Sequence, residues 1–304
     1  MRLFGREARV SIGKGGGSGF EIGVAATNGI PIHIKFSFEK SDVESPNTGK
    51  VTIWNLNKEH LAELEKQDCV VIVRAGYTGN LAQAFSGTVT HATTAKEGAD
   101  QMTEIEVADG MVELRDSNVS LSYAEGTATD VIYQDIAVQM GLPLSCSPNA
   151  LGLPTVLSNG YSFVGSAKNL LKRLTRMDGT SWSIQDGILQ LTKLGEPISL
   201  SCYELNAGSG LIGMPKRVSL SASGGSGKGG NTGASGGTET AQLGWEVTYL
   251  MNLAIGVNSY VHVTSQIVTG YFRVQKISVE GDNYEGDWQC KATILEITGQ
   301  GAAL

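Results

Sequence analysis

Hydrophobic and polar residues alternate over 30–38: Ile30, Ile32, Ile34, Phe36 and Phe38 fall on one side, Pro31, His33, Lys35 and Ser37 on the other. A period of two predicts a half-buried strand, with Pro31 near its start or at an edge. Val51-Thr52-Ile53-Trp54 reads as a second strand. Asn57 then caps a short helix that carries Glu59 in its first turn and Leu61 and Leu64 on one face. The apolar run Cys69–Ala75 is a third strand, turned by Gly76-Tyr77-Thr78-Gly79-Asn80; Phe85–Val89 and Thr103–Val107 supply two more. Short strands with turns about every ten residues predict a small barrel or sandwich, bounded near residue 115.

The period then changes. Thr127-Ala128-Thr129-Asp130 has the pattern of a capping box, Ile132, Ile136 and Met140 recur at helical spacing, and Gly141 with Pro143 ends the helix. A second helix starts near Ser166, with Leu170, Leu171, Leu174 and Met177 as its buried stripe and Gly179 as its stop. Trp182–Gln185 and Ile188–Leu191 flank Asp186-Gly187, a strong hairpin signal. Strands return at Arg217–Leu220, Trp245–Leu250, Ser259–Thr264, Tyr271–Val279 and Trp288–Ile297. Here Tyr260, His262 and Thr264 oppose Val261 and Val263, and Phe272 and Val274 keep the alternation that Ile277 breaks. Residues 221–237 hold eight Gly and four Ser in 17 positions, the composition of a long loop.

These patterns predict a mainly β protein with an α+β part. Two small β-barrel domains, 20–115 and 196–304, flank a central α+β domain of two helices and a hairpin over 116–195. Residues 1–19, with the Gly-rich stretch 11–19, form a flexible N-terminus, and 221–237 is a Gly/Ser-rich loop within the second barrel.

Composition narrows the function. Glycine, 40 of 304 residues, is well above the usual ~7% and is concentrated in two tracts, so it reports loops. Thirty acids against 23 bases give a net charge of −7, which argues against binding through phosphate contacts. Cys69, Cys146, Cys202 and Cys290 are scattered without a CxxC, which reads as reduced thiols rather than a disulfide framework. The N-terminus has no signal-peptide pattern, and no apolar run is long enough to span a membrane.

Candidate chemistry is thin. His33, His60, His91 and His262 share no ligand spacing, and no HExxH, GxSxG or SxxK occurs. Gly227-Lys228 has the look of a phosphate loop, but Gly229 follows where Ser or Thr is needed and Ala222 replaces the first Gly; Gly13-Lys14 fails likewise before Gly15. Glu104/Glu106 and Asp282/Glu285 could imitate a hydrolase pair. The first pair lies on the polar face of a strand, and the second, with Asp287, in a turn. Asn118-Val119-Ser120 fits a glycosylation sequon without a secretory context. Trp54, Trp182, Trp245 and Trp288 each sit in a strand-like run and read as core or interface anchors, with Trp54 and Tyr77 as candidate interface aromatics. No catalytic, cofactor-binding or metal-binding residue is assigned, and no cofactor is expected.

Several of these segments resemble one family in order. Ile32–Phe38, Val51-Thr52-Ile53-Trp54-Asn55-Leu56, Val73-Arg74-Ala75-Gly76-Tyr77 and Phe85-Ser86-Gly87 resemble the opening domain of baseplate hub proteins of tailed bacteriophages. Residues 127–142 and 166–191 resemble the hub's middle domain. Gly256–Val263, Tyr271–Ile277, and Gly281-Asp282 with Trp288 resemble its closing barrel; the tract 221–237 is extra to that plan. The resemblance implies a structural, non-enzymatic virion protein of the tail baseplate, made and assembled in the bacterial host cytoplasm. It implies a homotrimeric hub ring that joins the six-fold tail tube, or a distal tube-initiating protein, to the three-fold central spike. Other baseplate proteins would surround that ring, and genomic DNA would pass through its channel without specific binding. The alternative is a peptidoglycan-binding or cell-wall-degrading tail-tip module, because 160–195 resembles small peptidoglycan-binding folds.

Overall fold

The computed structural model describes residues 5–14, 19–23, 32–151, 155–193, 195–220 and 242–297. The chain opens with β1 (Arg6–Lys14), β2 (Gly19–Ile22), β3 (Ile34–Ser41), β4 (Asn47–Trp54), α1 (Lys58–Leu64), β5 (Cys69–Tyr77), β6 (Asn80–Glu97) and β7 (Asp100–Asp109). A middle unit follows: α2 (Met111–Asp116), β8 (Asn118–Tyr123), α3 (Thr129–Met140), β9 (Leu144–Cys146), β10 (Tyr161–Ser166), α4 (Ala167–Asp178), β11 (Thr180–Gln185) and β12 (Ile188–Lys193). The chain then returns to strands with β13 (Cys202–Leu205), β14 (Leu211–Leu220), β15 (Gln242–Leu250), β16 (Tyr260–Thr264), β17 (Thr269–Asp282) and β18 (Trp288–Glu296). The protein is mainly β.

The two β regions are continuous through hydrogen bonding. Their strands form one 13-stranded sheet in the order β14-β15-β18-β17-β3-β4-β7-β6-β5-β1-β2, with β13 and β16 branching from β17. The described strands thus trace an open path rather than two closed barrels. One hydrophobic cluster fills both regions, running from Val10 and Phe36 to Val274 and Ile294. The middle unit has its own core of Ile132, Tyr133, Ile136, Leu170, Leu171, Leu174, Trp182 and Leu191, among others.

The flexible N-terminus is also corrected. Residues 6–14 pair with β5 along its whole length. Ala8, Val10 and Ile12 alternate and are buried, a period of two that the neighbouring glycines obscure in the sequence. Residues 15–18 lie outside the described residues, as do Ile30, Pro31 and the loop 221–237. Ile32 is exposed and precedes β3, while Ile34, Phe36 and Phe38 are buried as the alternation requires.

Local signals were realised with small shifts. Asn57 caps α1, its side chain accepting from the His60 N–H at 2.7 Å. α3 begins at Thr129 with Ala128 as its cap, so no capping box forms; the Thr127 hydroxyl instead donates to the Ala124 carbonyl. Gly141 and Gly179 stop α3 and α4 in the left-handed region. In α4, Leu170, Leu171 and Leu174 are buried but Met177 is half exposed. Asp186 and Gly187 both take positive φ, as a type I′ turn demands. The break at Ile277 is a β-bulge. Val274 pairs with Ile294 and Lys276 with Thr293, leaving Gln275 as the extra residue that resets which side chains face the core.

Candidate assembly surfaces

The seam between the two β regions is β3 against β17, running antiparallel from Ser41↔Lys276 to Lys35↔Asp282. The residue types explain why it closes. On β3, Phe36 lies opposite Gly281 of β17 and Phe38 opposite Gly49 of β4. A Cβ added to either glycine would stand 2.2 Å from its phenylalanine ring. Each ring therefore occupies the space that a side chain would take, and covers a backbone that glycine leaves bare. Phe36 packs edge-on against Trp288, with ring centroids 5.6 Å apart, and Phe38 stacks on Phe85 at 4.7 Å. At the seam's end His33 Nε2 lies 2.9 Å from Asp282 Oδ1, and the His33 ring stacks on Trp54 at 3.8 Å.

The bulge at Gln275 sits where β17 changes neighbours. Before it, Thr269–Arg273 pairs with β16; after it, Lys276–Asp282 pairs with β3. A second bulge, at Thr90, plays the same part in β6. From Asn80 to Thr88 that strand pairs with β5; from Thr88 onward it pairs with β7, and beyond Thr90 with β7 alone. The result is a β-ribbon arm, His91–Met102, whose residues are mostly exposed. Trp54 and Asn55 fasten it. Trp54 Nε1 donates to Glu97 at 3.0 Å; Asn55 Nδ2 donates to Asp100 at 2.9 Å, and its Oδ1 accepts from the Gln101 N–H at 3.0 Å. Asn55 takes φ 59°, a conformation Asn tolerates better than most residues, and so extends the β4–β7 pairing by one side-chain step.

The outer face of the central strands is charged and cross-linked. Lys50 pairs with Glu104 at 2.7 Å, Lys276 with Glu39 at 2.9 Å and Lys291 with Glu280 at 3.1 Å. The Glu104 hydrogen bond holds the Lys50 ammonium above its ordinary pKa. A depression of ≈ 650 Å³ opens on this face, lined by Ser37, Thr48, Gly49, Lys50, Glu106 and Met111 among others. Among the described residues the sheet has unpaired edges at β14 at one end, at β2 at the other, and along the arm segment of β6, which has run past β5. Ile212 and Met214 on β14 and Leu243 on β15 are exposed apolar side chains near the first edge.

The residues weighed from sequence do not converge on chemistry. His33 meets Trp54 and Asp282, His60 stacks on Phe20 at 3.8 Å, His91 is exposed on the arm, and His262 Nδ1 bonds Glu204 at 2.7 Å. That contact with His262, with help from Thr264 and Asn206, holds the Glu204 carboxyl below its usual range. Among the described residues no group of His, Cys, Asp and Glu is placed to hold a metal ion. Glu104 and Glu106 share the charged sheet face, while Asp282 caps its own turn by accepting the Tyr284 and Glu285 N–H groups. All four cysteines are free, and burial pushes each thiol upward, Cys290 to about 11, which disfavours the thiolate form. Trp182 and Trp288 are core anchors. Tyr77, an interface candidate from sequence, is buried, whereas Trp54 is half-buried at the arm. The sequence reading missed the arm and β13. The arm's signal was available in Thr88, Thr90, Thr93 and Thr94 ahead of the Gly98 turn, a β-branched run next to a turn residue.

No family model and no curated protein sequence matches the chain. Solved structures do. The 43 kDa tail protein of prophage MuSo2 from Shewanella oneidensis superposes with a TM-score of 0.59 at 12% identity, over 95% of this chain and 98% of that one. The chain has a phage tail-protein fold. A tail protein from Neisseria meningitidis MC58 gives 0.61 at 11% identity, over 96% and 97% of the two chains. A type VI secretion component from E. coli, described as similar to the T4 bacteriophage tail proteins gp27 and gp5, gives 0.55 at 10% identity over 90% and 77%. At these identities the likeness concerns the fold. The tail-protein fold spans both β regions and the middle unit together. Among the described residues, no helix is long and apolar enough to cross a membrane.

Proposed function

We propose that this protein is a structural component of a phage tail baseplate, a hub subunit that works by assembly rather than catalysis. In this reading three copies form a ring, and each contributes two barrel-like halves, 20–115 and 196–304, to a pseudo-six-fold face. That face meets the tail tube or its distal initiating protein, and the opposite face meets the central spike. Other baseplate proteins pack around the ring, and DNA leaves through its middle. The observation that carries the reading is the sheet that runs through both halves, joined at β3–β17 and, among the described residues, ending in two unlike edges. Two different edges on one chain suit a heterologous contact, and such contacts close into rings when the rotation allows. The net charge of −7 suits a channel past which DNA slides without sticking.

The test is the absolute mass of the purified protein by light scattering, with negative-stain imaging of the same fraction. Three times 32.0 kDa, with rings of apparent six-fold symmetry on one face, is the expected result. A monomer that binds neither tail-tube nor spike protein, and that is retained on purified peptidoglycan, would overturn the hub in favour of a wall-binding tail-tip module.

A further inference from the structure

A joint crossed by polar side chains links the sheet to the middle unit, between the two hydrophobic cores. Among the described residues the buried charged side chains are Lys40, Asp109 and Arg273, and all three lie in this joint. The β11–β12 hairpin of the middle unit docks its turn against the sheet there. Asp109, the last residue of β7, accepts the backbone N–H groups of Asp186 at 2.5 Å and Gly187 at 3.1 Å. Lys40 of β3 reaches both oxygens of Asp186 at 2.7 and 2.6 Å. Asn47 Nδ2 donates to the Ile184 carbonyl at 2.9 Å and to Gln185 at 3.0 Å, and Gln185 Nε2 donates to the Ser41 carbonyl at 2.7 Å. Further along, Asn258 Nδ2 donates to Gln190 at 2.9 Å, while Arg273 holds Asn258 at 2.6 Å and Asp42 at 2.7 Å. Two connectors cross the joint. One runs through Gly110 and α2, which buries no side chain; the other includes 195–201.

Interfaces between units of one chain allow relative motion unless they are large and hydrophobic, and the contacts that cross this one include a set of polar and charged hydrogen bonds. We propose that the hairpin–sheet joint is a releasable latch that mild acid tightens, with Asp109 as the group whose charge sets its strength. The groups facing Asp109 are few: Asp186 from the hairpin and Lys40 from β3. Docked, the carboxylate has lost water and stands beside a second carboxylate. Released, it regains water and leaves Asp186. Burial first, and Asp186 second, push its carboxyl up to about 6, against the opposing pull of the turn N–H groups and Lys40. The sign follows. The docked state takes up a proton at a pH where the released state remains ionised, so lowering the pH favours docking.

Hydrogen exchange across 180–193 in the full chain, corrected for the intrinsic pH dependence of exchange, tests this. If the released carboxyl titrates as an ordinary Asp, protection of the hairpin rises about tenfold from pH 8 to pH 5. In Asp109→Asn the dependence disappears. In Lys40→Met, which removes a cation from beside the carboxylate, the midpoint moves to higher pH, a shift that loss of packing alone would not produce. Equal protection at both pH values overturns the proposal. So does a dependence that persists in Asp109→Asn, which would place the titrating group elsewhere, or a midpoint unmoved in Lys40→Met.

Discussion

The sheet and the middle unit solve the same packing problem over different chain distances. In the middle unit β11 and β12 are joined by a two-residue turn, and α4 follows directly on β10 and leads directly into β11. In the sheet, the decisive seam joins β3 to β17, pairing Phe36 with Gly281 across most of the chain. Local pairing asks little loop-closure entropy, whereas the seam must form after most of the chain has been placed. The middle unit is therefore expected to hold its structure when the sheet is weakened, and the sheet to be the part that fails cooperatively.

The largest effects test that asymmetry directly. Phe85 of β6 is fully buried and stacks on Phe38 of the seam strand β3. Phe85→Ala is expected to cost about 3–5 kcal/mol, and Leu170→Ala in α4 about 2–5 kcal/mol. Urea unfolding followed by hydrogen exchange reads both regions at once. The comparison holds if Phe85→Ala exposes β3, β17 and β18 amides while Ile132–Met140 and Leu170–Leu174 keep their protection. If both cores lose protection together, the two units are one cooperative block and the contrast is wrong.

What could be read from the sequence divides along the same line. Asn57, Gly141, Gly179 and Asp186-Gly187 announced their caps and turns, because a cap or a two-residue turn is decided by the residues that form it. Ile34, Phe36 and Phe38 announced a strand with one buried face. None of them said which strand would lie alongside. That choice rests on Gly281, 245 positions after Phe36, whose missing side chain gives no local signal. The two bulges were half legible. The broken alternation at Ile277 was visible, but its purpose, passing β17 from β16 to β3, appears only once both neighbours are known. The arm went unread because its exposed face carries Thr, Ala and Lys, and no hydrophobic period marks it. Trp54, Asn55, Gly281 and Trp288 stood in the sequence as parts of a family resemblance. The structure gives them physical tasks in fastening the arm and closing the seam.

A smaller effect sharpens the seam. Gly281→Ala places a Cβ 2.2 Å from the Phe36 ring, which also packs edge-on against Trp288, the partner of Gly281 on β18. Overpacking of this kind costs about 1–3 kcal/mol. A second change, Phe36→Leu, should recover part of the loss by removing the obstructing ring edge. Thermal unfolding of the single and double variants gives the coupling directly. Strict additivity would mean that the glycine is needed for something other than the ring above it.

The smallest expected effect concerns the arm, where the sheet outruns its own core. Asn55→Gly keeps the left-handed backbone, which glycine adopts freely, and deletes only the side-chain bonds to Asp100 and Gln101. The arm residues are exposed, so global stability should change by less than about 1 kcal/mol. The effect should appear instead as faster amide exchange confined to 97–102, with β4 and the proximal half of β7 unchanged. Trp54 Nε1 still holds Glu97 in this variant, so the arm loosens at its tip without detaching. If exchange is unaltered, the ladder between β6 and β7 alone keeps the arm in place, and Asn55 serves only to turn the chain from β4 into α1. If exchange rises throughout β4, the clamp is part of the core rather than an attachment to it, and the boundary between sheet and arm lies beyond Thr90.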